Sequence, residues 1–212
     1  MVGKGVLLEC LDHREITQVL SIGRRSLDIT HPKLKELIHA DFSSFDVVKD
    51  ELTGYDACYH SMGVSAAGMS EAEYTKFTYH FSMALAKTLF EINADMTFIY
   101  VSGEGTDSSE KGRSMWARVK GKTENHLLDL GFKQAFMWRP GAIIPLRGIR
   151  PSSKLYRRLM VFLLWLIKLI KWMSPNSVVN TTQIGLAMIN ATKHGYASKI
   201  VRPRDILALA AK

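Results

Sequence analysis

The stretch Met96-Thr-Phe-Ile-Tyr-Val-Ser-Gly103, MTFIYVSG, decides the fold class. Its first six residues are apolar or β-favouring, and serine and glycine close the run. A strand apolar on both faces has no side to turn toward water. Such strands belong to parallel sheets covered by helices above and below.

The neighbours on either side agree. Upstream, Ser70 followed three residues later by Glu73 makes a capping box, and apolar residues at Phe77, Phe81, Leu85 and Leu89 continue one helix face. Downstream, Ser114 to Leu130 reads as a second helix, stopped by Gly131. Farther out lie four more short apolar runs: TQVLSIG (17–23), ELIHADF, ending near Asp41, YDACYHSMG (55–63) and KQAFMWRPG (133–141). Helical patterns also cover 155–173, 181–193, stopped by Gly195, and a short segment from Asp205 onward. At the other end, MVGKGVLLECL places Val6, Leu7, Cys10 and Leu11 on one helical face almost from the first residue. Alternation of this kind predicts an α/β fold with a mostly parallel sheet.

With 212 residues, 47% of them apolar, the chain has enough material for one domain with a substantial core, spanning 1–212. The formal charge of +8 favours anionic partners such as phosphates. Nucleic acid is the weak option, because no binding motif appears and the basic residues are spread along the chain. Cys10 and Cys58 sit in apolar segments and read as buried thiols of a reducing compartment; with no signal peptide at the start, the expected location is cytoplasmic. His60 and His80 have no partner at metal-ligand spacing, so no metal site is expected.

Several motifs, taken in order, carry a resemblance that covers nearly the whole chain. They are MVGKG at the start, GRR after 17–22, YVSGEGTDSS at 100–109, WARVKGKTE at 116–124 and RPGAIIP at 139–145. Together they resemble the atypical short-chain dehydrogenases, NAD(P)-binding proteins similar to NAD-dependent epimerases and to the Tat-interacting-protein-like branch. The resemblance implies a Rossmann-like, doubly wound sheet, with 142–180 as a small substrate-side lobe.

On that resemblance Gly3 is the last glycine of the phosphate-binding turn, the one that lets helix and strand pack closely. The first strand and the first two glycines have no counterpart, so the resemblance implies a chain begun at an internal methionine of a longer protein. The strands at 17–23 and 55–63, which would flank that first strand, must then either pair directly or keep open edges. Arg24 and Arg25 stand where a carboxylate would hold a ribose 2′-hydroxyl, and arginine there suits a 2′-phosphate. NADP is therefore the expected cofactor, with NAD second. Asp41 and Phe42 resemble the adenine-contacting pair, and the cofactor should pass along Met62 and Gly63.

The family's catalytic helix carries YxxxK followed by glutamate. Glu124 sets the register in WARVKGKTE, so Lys120 is the ribose-binding lysine and Trp116 occupies the tyrosine position. An indole N–H donates a hydrogen bond but has no acid–base equilibrium near neutral pH. Ser102 is nearest to the expected place of the catalytic serine, with Thr106, Ser108 and Ser109 as alternatives and Glu104 as a conceivable acid/base. Arg139, Pro140 and Gly141 resemble the segment lining the nicotinamide pocket.

Three functions are thus implied. The first is an NADP-dependent oxidoreductase acting on a small carbonyl or hydroxyl compound. The second is a catalytically silent dinucleotide-binding regulator. The third is a scaffold attached to a membrane surface by the basic, Trp-containing stretch 155–173, whose apolar run is too short to span a bilayer. Burial of that stretch in the protein, or in a homodimer contact, is the competing reading.

Overall fold

The computed structural model describes residues 1–149 and 175–212, so the stretch expected as a helix over 155–173 lies outside the described residues. In chain order the elements are α1 (Val2–Asp12), β1 (Val19–Gly23), β2 (Leu34–Ile38), a 3-10 turn (Asp46–Leu52) and β3 (Ala57–His60). Next come α2 (Glu71–Thr75), a π-turn (Lys76–His80), α3 (Phe81–Ile92), β4 (Thr97–Val101), α4 (Met115–Asp129), β5 (Gln134–Trp138) and β6 (Ala142–Ile144). The remainder is a short 3-10 turn (Pro175–Ser177), β7 (Val178–Asn180), α5 (Thr181–His194), β8 (Ile200–Val201) and α6 (Pro203–Ala210). Every strand pair is parallel. The fold is α/β and Rossmann-like.

Local chemistry explains the element boundaries. Ser70 and Glu73 form the expected reciprocal cap on α2. The helix they open does not run uninterrupted to Leu89: it widens into the π-turn, where Ser82 Oγ reaches back to the Thr78 carbonyl at 2.5 Å. Gly131 and Gly195, with φ of +87° and +67°, stop α4 and α5 where the chain must turn left-handed. The strand expected to end near Asp41 ends at Ile38; just beyond it the His39 ring nitrogen Nε2 lies 2.7 Å from the Ser44 carbonyl. Strands β6, β7 and β8 are two or three residues long, too short to show any periodicity in a sequence.

β4 lies at the centre, with Phe98 and Ile99 fully buried. One core, on the side of α1, α5 and α6, joins Val6, Cys10, Ile99, Trp138 and Ile184. The other, on the side of α3 and α4, joins Phe42, Phe45, Phe98, Leu127 and Phe132. Alternate residues of β4 thus feed opposite cores, which is the pleat of a strand covered on both faces.

The sheet is divided. Among the described residues β1 pairs only with β2, while β3, β4, β5 and β8 form a separate four-stranded sheet, and β6 and β7 a third. Of the two outcomes expected for the strands at 17–23 and 55–63, open edges prevail over direct pairing. Val19 N–H donates to the Lys33 carbonyl and Gly23 accepts from His39. By the alternation of a parallel ladder, Leu20 and Ile22 turn their backbone groups to the other edge. The bond from Thr97 N–H to the Asp56 carbonyl leaves Ala57 and Tyr59 in the same position on β3. α1 packs against both strands and so bridges the two sheets.

α1 and α5 approach very closely. A Cβ on Gly5 would lie 2.6 Å from Thr181 Cβ, and one on Gly185 would lie 2.6 Å from Glu9 Cγ. Gly3, expected to be the close-packing glycine, is less constrained: its Cβ would sit 3.4 Å from Ser61 Cβ, an ordinary contact.

Candidate functional site

Parallel strands present their carboxyl ends along one edge, and loops leaving that edge collect the side chains of a site. Here Ser61 follows β3, Ser102 follows β4 and Arg139 follows β5. Gly3 lies against Ser61, so the N-terminus of α1 opens onto this edge too. That terminus carries no acidic residue in its first turn and no side-chain cap, so its free amides and positive dipole end are available to an anion. Ser61 Oγ beside it is shielded from solvent and has no hydrogen-bond partner among the described residues. Ser61 escaped the sequence reading, which picked the next two residues. An isolated serine at a strand end carries no signal until its neighbours are known.

From the other side comes α4, with Trp116 and Lys120 one turn apart on the face toward the loop after β4. Lys120 Nζ donates to the Ser102 carbonyl. Burial holds this ammonium below the usual lysine range, and the nearby Glu124 carboxylate opposes that shift. Trp116 lies over the loop: a Cβ on Gly105, whose φ is +86°, would be 3.2 Å from the indole. The structure thus brings Ser102, Lys120 and Trp116 to one place.

The Ser102 hydroxyl, however, is already engaged. It donates to the Glu124 carboxylate and stands 3.1 Å from the Trp138 carbonyl. Glu124 is fully buried and gripped by Arg139, whose Nε lies 3.0 and 3.1 Å from the two carboxylate oxygens and whose Nη2 also donates to Oε2. The same Nη2 donates to Ser108 Oγ at 2.5 Å. Arg139 thus sits inside the protein as the partner of Glu124. Pro140 contributes its carbonyl to the Glu104 amide at 3.2 Å, while Gly141 is pressed against the Ser177 carbonyl. Glu104 forms an exposed pair with Arg202, 2.9 Å away.

The remaining expected residues spread along the same end of the molecule. Arg24 and Arg25 are exposed in the loop after β1, with no ion pair to either among the described residues. That loop is held by Glu36, which accepts from Ser26 Oγ and the Leu27 amide, both at 2.7 Å. The Asp41 carboxylate accepts from the Ser43 amide at 2.9 Å and from its hydroxyl at 2.5 Å, which holds it below the usual carboxylate range. Phe42 is buried in the second core, against which Met62 also packs, so the segments after β2 and β3 meet there. Gly63 is exposed, with open space around its Cβ position.

Among the described residues no group of three His, Cys, Asp or Glu could hold a metal ion, and no helix is long and apolar enough to cross a membrane. An open recess of about 350 Å³, lined by Glu9, Asp12, His13, Arg14 and Leu186, lies at the far end of α1 from Gly3. Arg147 pairs with both of its carboxylates, Glu9 and Asp12.

No protein-family model matches the chain. Among curated proteins it is similar to the protein FMP52, mitochondrial, of Candida albicans, with 26% identity over 148 residues, 68% of this chain and 63% of that protein. The chain thus spans less than two thirds of that relative. Its structure is similar to that of the ADP-L-glycero-D-manno-heptose-6-epimerase of Helicobacter pylori, with TM-score 0.66, 14% identity and coverage of 99% of this chain and 78% of the other. It is also similar to WbmG of Bordetella bronchiseptica, solved with NAD (TM-score 0.65, 10% identity, 95% and 68% covered). RMD of Pseudomonas aeruginosa, solved with NADPH, is a third such structure (TM-score 0.58, 16% identity, 95% and 74% covered). The chain has the fold of the NAD-dependent epimerases and short-chain dehydrogenases, as its motifs lead one to expect. The expectation of a cytoplasmic location is corrected: the relatives of this sequence are named mitochondrial. Two free thiols, Cys10 buried and Cys58 partly so, indicate only a reducing environment and do not distinguish one such compartment from another.

Proposed function

We propose that this chain binds a nicotinamide dinucleotide along the carboxyl edge of its strands, with NADPH preferred over NADH. The single observation that carries the reading is the pairing of the uncapped α1 N-terminus with the unpartnered Ser61 hydroxyl at Gly3. A buried hydroxyl without a partner costs about 1–3 kcal/mol, and a phosphate oxygen there would satisfy it together with the helix amides. The residues present fit the group. Gly3 and Ser61 would hold the phosphates, Lys120 the nicotinamide ribose, and Arg24 and Arg25 a 2′-phosphate. The exposed Gly63 leaves room for the cofactor to pass. WbmG and RMD, which share this fold, were solved with NAD and NADPH, which supports the same class of ligand here.

When bound, such a cofactor supplies or accepts a hydride. For a reductase acting on a small carbonyl compound, a proton must also be delivered. Trp116 cannot deliver it, and the Ser102 hydroxyl points into Glu124. The geometry therefore favours a dinucleotide-binding protein without a tyrosine-type proton relay, and these two residues give specific support to a silent, regulatory role.

Fluorescence titration with NADPH and NADH tests this reading. Micromolar NADPH binding, weakened about tenfold in Arg24→Ala while NADH binding is unchanged, is the expected result. Absence of binding to both nucleotides overturns it. Reductase activity toward small aldehydes that appears only in Trp116→Tyr would show that the missing tyrosine is what silences the site. Activity in the unaltered protein would instead establish the oxidoreductase.

A further inference from the structure

We infer that Glu124 is the positioning residue of this site, setting through Ser102 where the Lys120 ammonium sits. The inference rests on the reading that Lys120 holds the dinucleotide ribose.

Glu124 stands one turn after Lys120 on α4, yet the two do not pair directly among the described residues. Both act on Ser102 instead. Glu124 takes the Ser102 hydroxyl and Lys120 takes the carbonyl of the same residue. A hydroxyl has one proton, and donation to a carboxylate is stronger than donation to the competing Trp138 carbonyl at 3.1 Å. The Ser102 side chain is thereby pinned, and with it the peptide whose oxygen receives Lys120. Arg139 completes the frame by holding the carboxylate from behind through Nε and Nη2.

The charge balance has the sign the site needs. One buried carboxylate lies among two cations, Arg139 and Lys120, leaving one unit of positive charge. Arg139 is satisfied inside, so the surplus resides on Lys120, at the edge where Ser61 and the α1 N-terminus also await an anion. The sequence shows Glu124 only as a register mark on the helix. Its function as a clamp appears once β4, α4 and β5 are seen to deliver Ser102, Glu124 and Arg139 to one buried point.

Three variants test this: Ser102→Ala, which cuts the relay and leaves every charge in place; Ser102→Thr, which restores a hydroxyl; and the double variant Glu124→Leu with Arg139→Met. The double variant removes the buried pair as a unit and so avoids stranding one charge, a change that buried pairs often tolerate. Two quantities are read for each folded protein: the dissociation constant for NADPH, and the rate at which acetic anhydride acylates Lys120, followed by peptide mass spectrometry. Expected are an approximately tenfold weaker affinity and a several-fold faster acylation in Ser102→Ala and in the double variant, with both restored toward normal in Ser102→Thr.

If NADPH binds the unaltered protein and all variants alike, and acylation does not change, Glu124 is a structural ion pair only and the inference is overturned. If NADPH binds none of them but acylation of Lys120 rises in Ser102→Ala and falls back in Ser102→Thr, the clamp stands and the dinucleotide reading falls. No binding together with unchanged acylation removes both.

Discussion

Gly121 of α4 faces the backbone carbonyl of Asp107 so closely that a Cβ there would lie 1.7 Å from its oxygen. This is a contact between two main chains, and no rotamer change can relieve it. It locks the loop between β4 and α4 onto the helix that carries Trp116 and Lys120. Asp107 strengthens the lock by accepting from the Gly112 amide at 2.6 Å and the Ser109 amide at 3.0 Å, while the Asp107 amide donates to the Ala117 carbonyl at 3.1 Å. Gly121→Ala must therefore push the loop away. The expected loss is about 3 kcal/mol of stability, at the upper end of overpacking effects, read by urea unfolding. NADPH affinity should fall as well, because Ser102, Gly103 and Gly105 belong to the displaced segment.

Gly63 gives the complementary case. Its surroundings are open, and a Cβ there meets nothing within 4 Å. Gly63→Leu should leave the unfolding midpoint within experimental error, since no packing is disturbed. If the dinucleotide passes along this segment, the new side chain occupies its path, and NADPH affinity should drop at least tenfold. Unchanged affinity in a stable variant would remove Gly63 from the site.

The fold was legible from β4 because a run apolar on both faces can be satisfied in few architectures, and MTFIYVSG sits between two helices with clear start and stop residues. The site was legible in part. Lys120, Trp116 and Ser102 stand out in the sequence only through the resemblance of WARVKGKTE and YVSGEGTDSS to the family's motifs, and the structure brings the three to one place. Arg139 stands out through the resemblance of RPGAIIP to the family's pocket-lining segment, but its burial with Glu124 depends on a tertiary arrangement that no local pattern encodes. Ser61 was missed for the same reason. The π-turn within the helix opened at Ser70 left no trace in the apolar spacing, because Phe77 and Phe81 suit an ordinary helix equally well.

The divided sheet makes a prediction that separates the two edges of β1. Ser21 turns its backbone toward β2, whereas Ile22 turns its own toward the open side. Proline at position 21 deletes a ladder hydrogen bond and should cost about 3 kcal/mol or more. Proline at position 22 removes an amide that no strand among the described residues uses, and its cost is confined to backbone fit and the lost Ile22 side chain. Ser21→Pro should therefore unfold at clearly lower urea than Ile22→Pro. Equal midpoints, or the reverse order, would mean that the edge of β1 is paired in solution by another strand.

His60 ends β3 beneath this region, with its ring stacked on Tyr100 at 5.7 Å and its Nε2 2.9 Å from Ser82 Oγ. Burial pushes the imidazole down to about 4 from an ordinary value of 6.5. A lowered value means that the folded protein resists taking up the proton that the unfolded chain accepts. The neutral ring therefore contributes fully above pH 6.5, and its contribution is lost progressively as pH falls toward 4. At about 1.4 kcal/mol for each pH unit, the loss amounts to roughly 3 kcal/mol. Carboxylates held below their ordinary range, such as Asp41 and Asp107, act mostly at lower pH and add little in this window. Stability measured by urea unfolding should thus decline from pH 6.5 to pH 4, and in His60→Asn, which keeps a polar group for Ser82 without the titration, the decline should be smaller by most of that amount. An identical slope in the variant would show that His60 takes up its proton in the folded state as easily as in the unfolded chain, and that the space beneath the strand end admits water.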